Sequence, residues 1–247
     1  MPTELQTPDY CREIEAYLCR KNDGHLIRVT GPSFDLVAGW AERGVPIKVA
    51  FKGIDRYFER YYRNGPRRWP VKIDFCEADV LDVFDDWRRA TGVTGAATAP
   101  PGAEPASLDD GIHDSESRQP SLPEHLKRVV LRLTSARSAG TLDASFDPLI
   151  DRAATELDAA RTAARGVRGA ARQALIDRLE SLDREFQQQA RARLDDATRT
   201  ALAGEADDEL APFRGRMGPE AFAHARERAI DRLVRERCRL PVVAYRY

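Results

Sequence analysis

The strongest constraint on this chain is a run of apolar positions between Phe146 and Ala174. Phe146, Ile150, Ala153, Leu157, Ala160, Ala164, Val167, Ala171 and Ala174 follow an alternating 4,3 spacing. A seam that returns to one face every seven residues fits a helix and not a strand. Most of its members are alanines, which suit close approach of helix to helix. The seam then moves by one residue, to Leu175, Leu179, Leu182 and Phe186. Asp147-Pro148 reads as an N-cap followed by a first-turn proline. Gly166 and Gly169 lie near the middle, and each weakens a helix by about 1 kcal/mol relative to Ala. Two readings follow. In one, residues 147–203 form a nearly continuous helix, about 85 Å long, that stops at Gly204. In the other, the GVRG stretch at 166–169 turns the chain back into an antiparallel hairpin. The heptad phase survives across both glycines, which favours the long, kinked helix.

The rest of the chain is also helical in pattern. Leu122–Ser138 carries Leu126, Val129, Val130 and Leu133 on one side, and Pro219–Leu240 carries Phe222, Ala225, Ala229 and Leu233. The apolar, aromatic segment Pro241–Tyr247 is expected to dock instead of fraying. Near the start, Asp9 is expected to cap a helix through Cys11–Lys21 that turns Ile14, Tyr17 and Leu18 inward. Leu26–Val29 reads as a short extended piece. A second helix, capped by Ser33 or Thr30, buries Phe34, Val37 and Trp40 and stops at Gly44. A third begins at Pro46 and repeats Ile47, Ala50, Phe51, Ile54, Phe58 and Tyr61 at 3–4 spacing. A fourth, Glu77–Arg89, turns Val80, Leu81, Phe84 and Trp87 to one side. Between these halves, residues 92–121 hold only Val93, Leu108 and Ile112 as large apolar side chains. Such a segment cannot offset its ordering entropy by burial, so it reads as a flexible linker. The expectation is an all-α protein. A small helical domain (1–91) is joined by the linker (92–121) to an Ala/Arg-rich helical bundle or coiled coil (122–247).

Several classes are disfavoured. No stretch approaches the 18 or so apolar residues of a membrane span. MPTELQTPDY has neither the basic start nor the apolar run of a secretory signal. Cys11, Cys19, Cys76 and Cys238 form no CxxC pair, so a reduced, cytoplasmic setting is expected, and Cys11 and Cys19, eight apart on one side of the first helix, read as buried, inert thiols and not as a redox pair. There is no GxSxG, HExxH, Walker A or GxGxxG motif. His25, His113, His125 and His224 do not lie at metal-ligand spacing from one another. A non-enzymatic chain with no cofactor and no metal is the expectation.

Charge supplies the functional lead. Arg43–Lys72 carries nine basic residues against Asp55 and Glu59, a net +7. Lys48, Lys52, Arg56 and Arg60 recur every four residues and form a ridge on the third helix. Arg63, Arg67, Arg68 and Lys72 continue it, and Tyr57, Tyr61, Tyr62 and Trp69 interleave. Cations that track a phosphate backbone beside rings that stack on bases are what single-strand binding needs. In this reading the lysines and arginines contact phosphates, and Tyr62 and Trp69 stack. The alternative is a solvated helix face over core tyrosines. Ile73–Ala90 reverses the pattern, with a net charge of -4. Its carboxylates either neutralise the basic helix or, at Asp79, Asp82 and Asp86, share a face suited to a divalent cation. The first is the expectation.

Gly31-Pro32-Ser33-Phe34 precedes a helix ending in Trp40-Ala41-Glu42-Arg43-Gly44-Val45-Pro46. Then come the amphipathic helix Ile47–Tyr62, a basic segment and a helix ending at Trp87. In this order of elements, the span from Val29 to Trp87 resembles the C-terminal helical domain of the DnaD family of bacterial replication-initiation proteins. The resemblance implies binding of single- or double-stranded DNA and a replication-accessory role, with Phe75, Val83 and Trp87 near the DNA. The seam at 146–201 would then supply a homo-oligomer. The competing reading is an interaction or scaffold protein without nucleic acid, whose heptad run is the recognition surface.

Overall fold

The computed structural model describes residues 7–63, 70–93, 121–163 and 168–245. Their regular structure is helical, and no strand occurs among the described residues, so the protein is all-α. Among these residues no helix is long and apolar enough to cross a membrane. The chain forms two compact units, each discontinuous in sequence. One draws on Met1–Gly102 and Ala203–Ile230, the other on Ala103–Leu202 and Asp231–Tyr247. Composition groups everything after residue 121 together, whereas the fold divides that stretch. Most of the expected linker lies outside the described residues. Its edges belong to helix ends: Val93 is buried beside the end of the fourth helix, and Ser121 is the N-cap of the fifth.

The first unit is built on α1 (Thr7–Lys21), α2 (Pro32–Glu42), α3 (Ile47–Tyr62) and α4 (Glu77–Thr91). In α1, Tyr10, Cys11, Ile14 and Leu18 are buried at helical spacing. The helix begins before Asp9, which bonds Arg12 within the first turn instead of capping from outside. The buried Asn22 amide ends α1 and pins a distant segment: it donates to Leu18 and Val71 carbonyls and accepts from the Val71 amide at 2.8 Å. Helix α2 starts from Gly31 with no side-chain cap; Ser33 lies inside its first turn, and its hydroxyl donates to Asp74. Val37 and Trp40 are buried as expected, but Phe34, at the edge of that stripe in the first turn, remains 38% exposed.

Helices α3 and α4 make the tightest contact of this unit. Val49, Ala50, Ile54 and Phe58 of α3 and Val80, Phe84 and Trp87 of α4 are buried. Gly53 lets the backbones meet: a Cβ there would lie 2.4 Å from the Val80 Cα. Residues from far along the chain complete the unit. Trp87 Nε1 donates to Glu209 at 3.0 Å, and its ring lies 5.7 Å from that of Phe213.

The second unit contains α5 (Leu122–Ser138), α6 (Asp147–Ala163) and α7 (Gly169–Arg193). The chain continues through α8 (Asp196–Leu210) and α9 (Pro219–Arg237). The long-helix reading is overturned here. Contacts of α7 with α6 and the 3₁₀ turn before it run in opposite order: Asp143 with Arg193, Ser145 with Gln189, Phe146 with Phe186, Arg152 with Glu185, and Glu156 with Arg178. The pair is an antiparallel hairpin. Arg168 is extended and Gly169 left-handed (φ 59), so no helix passes that point. The heptad phase across the glycines is a sequence coincidence, since α7 buries a different register from the one that Ala171 and Ala174 continue. Folding back buries Ile150, Ala153 and Leu157 in the same unit as Ile176, Leu179, Leu182 and Phe186, and leaves Ala171 and Ala174 exposed. A second break follows at Leu194, which is extended, and Asp195 then accepts from the Thr198 amide. Gly204 lies inside α8 and does not end a helix. Likewise Asp143, not Asp147, is the capping carboxylate before α6. The apolar segment after α9 docks as expected, with Leu240, Val243, Ala244 and Tyr245 buried.

Candidate nucleic-acid interface

Helix α3 turns its apolar stripe inward, which leaves Lys48, Lys52, Arg56 and Arg60 on the outer side of the α3–α4 pair. The acidic face of α4 meets them. Arg60 Nη2 lies 2.7 Å from Asp79 Oδ2, and Arg56 Nε lies 3.6 Å from Asp79 Oδ1. The other end of the Arg56 guanidinium reaches Asp82 at 3.5 Å. Asp79 is only 2% exposed, so its charge depends on those two guanidinium groups in place of water. Lys48 pairs with Glu205 at 2.6 Å. Lys48, Arg56 and Arg60 of the ridge expected from spacing thus each face a carboxylate. Asp55 turns the other way: it accepts from the Tyr17 hydroxyl at 2.7 Å and pairs with Lys21 at 2.6 Å. Burial, then the bond to Asp55, pushes the Tyr17 hydroxyl pKa up, and that same carboxylate raises Lys21.

The remaining predicted contacts divide by position. Lys52, Arg63 and Lys72 are exposed, and Lys72 stands at the start of the 3₁₀ turn Ile73–Cys76. Tyr62 is 47% exposed and meets Phe58 edge-on. Arg67, Arg68 and Trp69 lie outside the described residues. The three carboxylates considered for a cation each face an arginine: Asp79 and Asp82 as above, and Asp86 with Arg89 at 2.7 Å. Of the residues that the DnaD resemblance puts near DNA, Phe75 is 59% exposed, whereas Trp87 is buried against Glu209. Burial raises the Cys11 thiol pKa, whereas Cys19 is half-buried and its Sγ meets the Ile27 carbonyl and amide at 3.4 and 3.3 Å.

A second feature emerges from the geometry. The rings of Phe75, Tyr57 and Tyr61 form a near-parallel row, with centroids 6.4 and 5.9 Å apart. The Arg60 guanidinium covers the Tyr57 ring at 5.5 Å. Helical spacing revealed the two tyrosines as neighbours. Phe75 joins them through the turn before α4, a contact that no local pattern encodes. No family model, curated protein or solved structure matches the chain.

Proposed function

We propose that this chain is a helical interaction protein that recognises another protein and not nucleic acid. One observation carries the reading: Arg56 and Arg60, the centre of the basic ridge, are turned onto the carboxylates of α4. The carboxylates already offset the charge a phosphate would meet, and a phosphate that drew both arginines away would leave buried Asp79 without its countercharge, which is costly. Phe75, 59% exposed, stacks on the half-buried Tyr57 in the neighbouring aromatic row, and exposed large apolar side chains beside others commonly mark protein contacts.

Mobility-shift titration with single- and double-stranded DNA at about 50 and about 200 mM salt tests the exclusion of nucleic acid. No shift is expected at either concentration. A shift at the lower salt that weakens at the higher would restore the DNA reading, with Lys52, Arg63 and Lys72 as its contacts. Affinity capture with the intact chain and with Phe75→Asp tests the positive half. A captured protein should be lost in the variant, and nucleic acid should not copurify with either.

A further inference from the structure

Ile150, Ala153, Leu157, Ile176, Leu179, Leu182 and Phe186 are buried within one chain, so self-association through them is disfavoured and another surface is needed. We propose that the segment Pro241–Tyr245 is a strap exchanged between two copies of this protein, each inserting it into the groove of the other. The groove is built for an extended backbone. The Asp183 carboxylate, whose side chain is 10% exposed, accepts the Val243 amide at 2.8 Å and the Ala244 amide at 3.4 Å. Its other oxygen accepts Arg235 Nη2 at 2.6 Å. Arg235 Nη1 donates to the Pro241 carbonyl at 3.0 Å, and His125 Nε2 donates to the Val243 carbonyl at the same distance. The Tyr245 ring meets His125 edge-on, and the Arg172 guanidinium lies over it at 5.7 Å. Val243 is fully buried. These contacts come from side chains of α5, α7 and α9, so an identical strap from a second copy can make all of them.

The hinge explains why the strap would leave its own groove. At the end of α9, the Leu240 amide bonds the Arg235 carbonyl and the Arg239 amide bonds that of Glu236. This cap requires a left-handed residue between helix and strap. Helices α2, α4 and α5 meet the same demand with Gly44, Gly92 and Gly140, at φ 78, 72 and 64. In α9 the position is Arg239, at φ 51, where a Cβ is strained. Exchange keeps the groove contacts and lets the hinge relax in both copies. A short hinge under strain is the circumstance that invites such swapping.

The test mixes two differently tagged copies, one with a benzophenone side chain at position 245, and irradiates them across a wide concentration range. The expected product joins the two tags through the α5 or α7 segment containing His125 or Arg172, and its yield rises with concentration. Cross-links confined to one copy at every concentration would overturn the proposal. So would a dimer that persists after truncation behind Leu240. Arg239→Gly retains the cap and removes the strain, so its dimerisation constant should fall roughly fivefold or more. An unchanged constant would overturn the hinge argument without relying on the truncated form to fold. Added peptide of sequence PVVAY should suppress the dimer. Displacement of the strap by an unrelated extended peptide, with no dimer at any concentration, would assign the groove to a different partner and end the exchange model.

Discussion

The α3–α4 and α6–α7 pairs both place arginines opposite carboxylates, yet the charges differ in what they do. In α3–α4 the backbones meet at Gly53, and a nearly inaccessible Asp79 receives Arg56 and Arg60. Those arginines are part of the packing, because a buried carboxylate without them would be destabilising. In α6–α7 the apolar seam supplies the packing, and pairs such as Glu156–Arg178 lie along its half-exposed edge. There the charges mainly favour one register, because solvent and salt screen their attraction. A basic stripe therefore reports an open binding surface only when the carboxylates opposite it are themselves solvated.

Five measurements probe this contrast. The largest effect is expected at Gly53. Its missing Cβ would meet the backbone of Val80, which no rotamer change relieves. Gly53→Ala should cost about 3 kcal/mol or more in urea unfolding. Ala153→Gly, in the buried seam of α6, should cost only about 1 kcal/mol. Asp79→Ala comes next, at about 2 kcal/mol, because its half-exposed arginine partners can turn to water. That variant also releases Arg56 and Arg60, so a DNA mobility shift should appear at low salt in Asp79→Ala and not in the unaltered protein. A variant that leaves DNA affinity unchanged would show that those ion pairs do not mask a positive surface.

A double-mutant cycle on Glu156 and Arg178 should give a coupling of only about 0.5 kcal/mol that fades at high salt. A coupling several times larger would erase the distinction between the two pairs. The smallest effect concerns acid stability at the end of the α6–α7 hairpin. The nearby Ser145 side chain and the hydrogen bond from the Ser145 amide, then the charge of Arg193, hold the Asp143 carboxyl below its ordinary value of 3.8. A folded-state value below the unfolded one means stabilisation that is present above pH 3.8 and is lost as pH falls through the depressed value. Asp143→Asn should therefore flatten the acid limb of the stability–pH curve. An identical limb would mean that this cap has no linkage to folding.

The buried stripes of α1, α3 and α4 were legible because each repeats at helical spacing over several turns. Gly53 was not: an interior glycine reads as a weakness in a helix until the partner backbone is seen against it. The hairpin at 166–169 was hidden for a different reason, since the heptad phase runs on through Ala171 and Ala174, which are exposed beyond the turn. The basic residues of α3 were legible one by one. The pairing of Arg60 with Asp79 depends on how two helices cross, which spacing along either helix does not carry. The inward face of Trp87 follows from its spacing to Val80 and Phe84, but its hydrogen-bond partner Glu209 lies 122 residues away.

The sequence by itself determined that this is an all-α chain, where most helices begin and which side of each is apolar, because backbone hydrogen bonding and side-chain periodicity act over a few residues. Tertiary structure alone decided that the long seam closes on itself, that residues 203–230 join the first unit, and that the arginines of α3 rest on buried acid. Those outcomes depend on distances between helices. Burial makes such contacts decisive, since a charge removed from water takes whichever partner the packing brings within reach.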